Sequence, residues 1–285
     1  MFEMLINPKK AERMPWELFF VGLFYATLSV LLVQWIFYKD AVLVNYSGIL
    51  IVTFTVMFSI PFIYYTIKLE EKKITPTSKT FSLLREHEKA IKAFLWLFLG
   101  FVLAYSFWYI VLASPINFKA QIETYCLINK PTHVQDCAAQ YGVPKSAPTA
   151  MVTGKERFVL IFTNNIFVLI FTLIFSLIFG AGVIFILAWN ASVIAAAVGI
   201  FTKSELSALP LGLARYLIHG IPEIASYFIV ALAGGLMSVA VIRHEYGTEK
   251  FWEVLHDSLN LIIIAVVVLF FAALVEVYIT PVVSS

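Results

Sequence analysis

The length of the uncharged apolar runs limits the fold more than any other feature of this chain. Residues 159–179 are apolar on every side except at Thr163, Asn164, Asn165, Thr172 and Ser176. At about 1.5 Å of rise per residue, a helix of that length spans a hydrocarbon core of about 30 Å. Lipid offers no water to satisfy the backbone, so such a run is helical unless it alternates in polarity as a barrel strand does. These runs do not alternate. Apolar residue types make up 61 % of the 285 residues and charged types 13 %, whereas soluble domains carry about a quarter charged residues. The expected fold class is therefore all-α, a polytopic transmembrane helical bundle of seven spans, and no soluble enzyme domain fits into it.

The first span is expected at 16–38, with aromatic residues at both ends, where amphipathic rings favour the headgroup layer. It follows Lys9, Lys10 and Arg13 as a signal peptide would, but it is too long and lacks a small-residue cleavage pattern, so it reads as a retained signal anchor. The second is expected at 49–67, kinked by Ser59 and Pro61. A basic stretch, 68–92, leads to the third at 93–112, and a polar segment with no sustained periodicity runs on to Arg157. Residues 158–201 are too long for one crossing, so Gly180, Ala181 and Gly182 are expected to turn a hairpin between spans at 158–179 and 183–201. Residues 203–220 mix Ser, Glu, Pro210, Gly212 and Arg215 with Leu and suggest a re-entrant or interfacial segment. Pro222 then suits the first turn of a sixth span, 221–242. Residues 248–258 suggest a surface helix with Phe251, Val254 and Leu255 on its apolar face, ahead of a seventh span at 259–279.

Net charge is +2, so what matters is where the basic residues sit. With the N-terminus inside, twelve of the twenty Lys and Arg fall in the inner segments, which are the shorter ones in total. This bias places the 68–92 loop in the cytoplasm and the C-terminus outside, in a multi-pass cell-membrane protein. No basic and aromatic stripe of the nucleic-acid kind is present, so the expected partners are the lipid bilayer and either second copies of the chain or other membrane proteins.

Cys126 and Cys137 fall in the long outer segment, where oxidising conditions permit a disulfide. Closing that loop would contribute on the order of 2–3 kcal/mol; two unpaired thiols are the alternative. With His133 they make three potential ligands at spacings unlike a closed zinc site. No metal and no cofactor is expected.

Polar side chains at membrane depth face protein or water and mark function or helix contacts. Those of interest are Asn164 and Asn165 in the fourth span, Asn190 in the fifth, Arg215, His219 and Glu223 around the start of the sixth, and Glu276 near the outer end of the seventh. The run from His219 to Glu223 reads either as a capped helix start or as part of a buried site with Asn164 or Asn165 that binds a proton, ion, metal or lipid headgroup. Asparagines in a bundle more often bridge helices, and Glu276 lies close enough to its helix end to reach interfacial water.

Taken in order, Asn164 and Asn165, Gly180 and Gly182, Asn190, then His219 and Gly220 with Glu223, and the small stretch from Ala231 to Gly235 resemble the stage II sporulation protein M family of integral membrane proteins. The resemblance covers residues 88–278, leaving residues 1–87 as an N-terminal transmembrane hairpin with a basic loop and 88–285 as a five-helix membrane module with a long outer loop, 113–157. Ala191 and Pro222 depart from the family pattern. The resemblance implies a noncatalytic part: its best-known bacterial members act in engulfment, assembled with cell-wall-degrading partners that do the chemistry. Three function classes follow. One is a multispanning scaffold or membrane-remodelling component that recruits partners. A second is a transporter of ions, lipids or small solutes that uses the His219 and Glu223 cluster next to a broken helix. The third, an intramembrane enzyme, finds neither a Gly-x-Ser-x-Gly elbow nor a His-Glu-x-x-His motif, and Glu70 and Glu71 lie at the opposite membrane side from His219.

Overall fold

The computed structural model describes residues 14–37, 39–40, 42–71, 80–129, 134–143, 154–179, 183–203, 205–242 and 247–279. Every regular element among them is helical. Seven are long: α1 (Glu17–Phe37), α2 (Ser47–Glu71), α3 (Thr80–Leu112), α6 (Gly154–Phe179), α7 (Val183–Phe201), α8 (Leu209–Ile242) and α9 (Glu249–Leu274), the last continuing into a π turn, Val275–Ile279. Two short ones, α4 (Lys119–Asn129) and α5 (Val134–Gln140), stand between α3 and α6. Six stretches are long and apolar enough to cross a membrane, in α1, α2, α3, α7, α8 and α9; in α6 the corresponding apolar stretch is Ile161–Leu177.

The helices meet through small residues and a few hydroxyls. At the α1–α3 crossing, a Cβ on Gly22 would run into the Leu97 carbonyl, and one on Gly100 would lie 3.0 Å from the Cα of Gly22. Only glycine lets two backbones approach this closely, and close approach is how helices associate where lipid removes the hydrophobic driving force. Trp108 Nε1 donates to Thr27 Oγ1 at 3.3 Å across the same pair. Tyr105 is fully buried and its hydroxyl donates to Thr55 Oγ1 of α2 at 2.6 Å. Most other intramembrane hydroxyls turn back on their own helix: Ser29, Ser59, Thr66 and Thr172 each donate to the carbonyl four residues earlier. That satisfies them without a partner helix.

Helix α8 forms the centre. In its membrane stretch 82 % of the residues are buried inside the protein, against 22 % for α9. Phe228 stacks on Phe94 of α3 at 5.4 Å. Ser176 of α6 donates to the Ala231 carbonyl at 2.5 Å, and Ser258 of α9 donates to the Ala233 carbonyl at 3.2 Å. A Cβ on Gly234 would stand 2.9 Å from the Leu173 carbonyl. The small stretch read in the sequence is thus the surface on which α6 and α9 pack.

Four expectations need correction. Helix α3 begins at Thr80, not at residue 93, so the second half of the basic loop extends the span as helix. The described residues between α3 and α6 are not structureless: they hold a 3-10 turn, Pro115–Phe118, with α4 and α5. No re-entrant break occurs before the sixth span, because α8 runs unbroken from Leu209 to Ile242 with Pro222 inside it rather than in its first turn. Pro222 deprives the Ile218 carbonyl of its amide, a loss that a bundle tolerates where neighbouring helices hold the chain. Here α7 packs beside the proline, where a Cβ on Gly220 would meet Ile194 Cδ1 at 3.7 Å. Lastly, 248–258 is no separate surface helix. Thr248 caps α9 by accepting the Phe251 amide, and one buried stripe runs through Val254, Asp257, Ser258, Leu261, Ala265 and Leu269. A single stripe at helical spacing demands one helix, and it turns Asp257 inward. The turn at 180–182 lies outside the described residues, while α6 and α7 end and begin on either side of it.

Candidate functional site: the disulfide-closed cap and the carboxylate end of the bundle

After α3 the chain passes Ala113, takes an extended turn at Ser114, and starts a 3-10 helix with Pro115 at its first position, where a missing amide costs nothing. Helix α4 then lies over the bundle, and Cys126 on it is bonded to Cys137 on α5, with 5.8 Å between the Cα atoms. Both sulfurs are buried. They share a small apolar core with Ile122, Ala138 and Val143, completed by Ala196 of α7. The cap is therefore built partly from the bundle. Gln121 fastens it: its Nε2 donates to the Gly48 carbonyl of α2 at 3.0 Å and to Ser192 Oγ of α7 at 3.2 Å. A Cβ on Gly48 would strike the Gln121 side chain, so glycine there makes room for the latch.

The second feature lies at one end of α6, α8 and α9. Tyr227, fully buried, donates its hydroxyl to Glu223 Oε1 at 2.9 Å, one turn back on α8. Glu276, in the π turn that ends α9, is near enough for the two carboxylates to act on each other electrostatically. Helices α6 and α8 touch at Ser176 and Ala231. Phe158 and Phe162 of α6 meet Phe270 of α9 at 5.8 Å in the same region. Two neighbouring carboxylates at membrane depth, one held by a phenol, form an arrangement that can share a proton or hold a cation.

The sequence-derived residues divide accordingly. Asn165 is buried and makes no side-chain hydrogen bond among the described residues, whereas Asn164 is exposed. Asn190 donates to the Ile186 carbonyl of its own helix at 2.8 Å, a local bond rather than a bridge to the cluster. Arg215 and His219 lie on α8, but their side chains are outside the described residues, as is His133. Among the described residues, no three His, Cys, Asp or Glu side chains gather in an arrangement able to hold a metal ion. Sequence reasoning missed Tyr227 and the approach of Glu276 to Glu223. The four-residue spacing of Glu223 and Tyr227 was a readable signal; the approach of Glu276 across two helices was not.

The family model described as Stage II sporulation protein M matches residues 93–281. This chain belongs to that family. No curated protein and no solved structure matches it. The Stage II sporulation protein M match begins in α3 where the helix becomes continuously apolar, and ends just past α9. The cap, its disulfide, the Glu223 and Tyr227 pair and Glu276 all lie inside it, and α1 and α2 precede it.

Proposed function

We propose that this Stage II sporulation protein M family member is a noncatalytic multispanning scaffold or membrane-remodelling component, and that its disulfide-closed cap is the face on which partners assemble. The observation that carries the reading is the seating of the cap: a covalently closed pair of helices shares its core with α7 and is latched to α2 and α7 through Gln121. A partner held by such a cap is held by the bundle. Leu127 on α4, 59 % exposed, gives the cap an apolar contact on its outer side. In this reading the N-terminus is cytoplasmic, the cap and C-terminus extracytoplasmic, and residues 1–87 add a hairpin to a five-helix module. The basic-residue bias and the disulfide both support that sidedness. Partners are second copies of the chain or other membrane proteins.

A photocrosslinking residue placed at Leu127 in the full chain, in its native membrane, tests this. Protein adducts from Leu127, set against lipid adducts alone from the exposed Phe271 of α9, are the expected result. Lipid adducts alone from both positions would refute the scaffold. The Glu223, Tyr227 and Glu276 arrangement favours a transporter as the second reading; under it, Glu223→Gln abolishes a proton- or ion-driven flux in proteoliposomes.

A further inference from the structure

Where α3 and α7 both end, a cavity of about 320 Å³ opens under the cap, lined by Tyr109, Ala113, Ser114, Tyr141, Gly199 and Lys203 among others. Both helix stops beside it use a residue with a side chain in the left-handed backbone region, Ala113 at φ 45° and Lys203 at φ 51°. These are the non-glycine residues with positive φ among those described. Glycine is the usual occupant of such a stop, because a Cβ is strained there. A lysine gives up the stability glycine would provide, and this exposed lysine is one of the residues that line the cavity. No carboxylate among the described residues pairs with it.

The other walls supply neutral donors. Gly199 is the position where any Cβ would strike the ring of Tyr109, so that ring is inlaid against the backbone of α7. Tyr109, Tyr125 and Tyr141 stand close enough together to interact electrostatically. Burial and the neighbouring Tyr125 push the Tyr141 phenol up, and a phenol is protonated near neutral pH in any case, so its hydroxyl is available as a donor. Ser114 adds a hydroxyl. The membrane stretches of α3 and α7 end at Leu112 and Phe201, which puts the cavity at interface depth. Two helix C-termini carry partial negative charge and oppose an anion. At α7 that charge is largely answered: the Thr202 amide donates to the Val198 carbonyl, Thr202 Oγ1 to the Gly199 carbonyl, and the Lys203 amide to the Ile200 carbonyl.

We propose that this cavity is a phosphate-binding site, in which Lys203 supplies the charge and Tyr109, Tyr141 and Ser114 supply hydroxyl donors. The phosphate comes either from a phospholipid headgroup at the interface or from a soluble phosphate ester. Neither source depends on the scaffold reading.

Thermal unfolding of the full chain, delipidated in neutral detergent, tests the site when phosphatidylglycerol and, separately, glycerol phosphate are titrated in. The wild-type midpoint is expected to rise. Lys203→Met should need about tenfold more ligand for the same rise, the effect of losing one charge-assisted bond. Lys39→Met, an exposed lysine in the α1–α2 link, should respond as the wild type does. Lys203→Gly should unfold at a higher temperature than the wild type without ligand and yet lose the response, a split that helix capping alone does not produce. A response to phosphatidylglycerol alone identifies a headgroup, a response to glycerol phosphate alone identifies a soluble ester, and a response to both identifies a site that takes the phosphate from either source. A wild-type midpoint unmoved by either ligand, or Lys203→Met and Lys203→Gly variants that respond like the wild type, would overturn the proposal.

Discussion

Replacing Gly100 by Ala directs a single methyl at the backbone-to-backbone crossing of α1 and α3. The new Cβ would meet the Phe19 carbonyl and stand 2.8 Å from the Leu23 amide nitrogen and 3.0 Å from the Gly22 Cα. All three are backbone atoms, so no rotamer change relieves the contact, and α1 must move off α3. Overpacking of this kind costs about 1–3 kcal/mol, while alanine's better helix propensity returns about 1 kcal/mol. Moving α1 also stretches the Trp108 to Thr27 bond, already 3.3 Å long, and an interhelical bond of this type contributes about 0.6 kcal/mol. The net expectation is a loss of about 1–2 kcal/mol. Gly220→Ala is the control: its Cβ would meet only Ile194 Cδ1 at an ordinary 3.7 Å, so the propensity gain stands alone and the variant should be neutral or up to about 1 kcal/mol more stable. Equilibrium unfolding of both variants in mixed micelles, as the denaturing detergent fraction is raised, gives the two free energies. Shifts of the same sign and size would refute the claim that backbone contact holds α1 to α3.

Two further outcomes follow from the cap and the first link. Cys126→Ala with Cys137→Ala should weaken the cap by about 2–3 kcal/mol, read as faster proteolysis of residues 119–143 while the bundle stays intact; in intact cells, thiol labelling of the wild type should require prior reduction. Asp40 accepts the Val42 and Leu43 amides at 2.9 and 2.8 Å, and these two bonds, Leu43 first, hold its carboxyl below the usual aspartate value of 3.8. Its contribution to the link is therefore present above the unfolded pKa and lost as the pH falls through the lower folded value. Carbon-13 titration of the Asp40 carboxyl should show a midpoint below 3.8, and a midpoint at or above that value would contradict the capping role.

Helix existence was readable because lipid allows an apolar run of twenty residues almost no other form. The seven long helices therefore fall where hydropathy put them, and the order of Asn164 to Gly235 carried the family. Helix ends were harder to read, because amphipathic extensions such as 80–92 and 209–219 look like loop or surface to a hydropathy rule. Packing then decides whether they continue a span. The cysteines disclosed a possible disulfide, but Gln121, which latches the cap, carries no local mark: its partners, Gly48 and Ser192, are about seventy residues away in each direction.

The candidate site divides in the same manner. The sequence by itself determined the all-helical membrane class and the identity of the few polar residues that lipid makes costly, because each follows from local composition and the free energy of transfer into hydrocarbon. Tertiary structure alone decided that Pro222 lies within a helix, that Glu276 approaches Glu223, that Asn190 bonds its own helix, and that Lys203 and Tyr141 line one cavity. Those facts depend on which helix faces meet, and contacts between residues far apart in the chain are set by packing rather than by any residue's own preference.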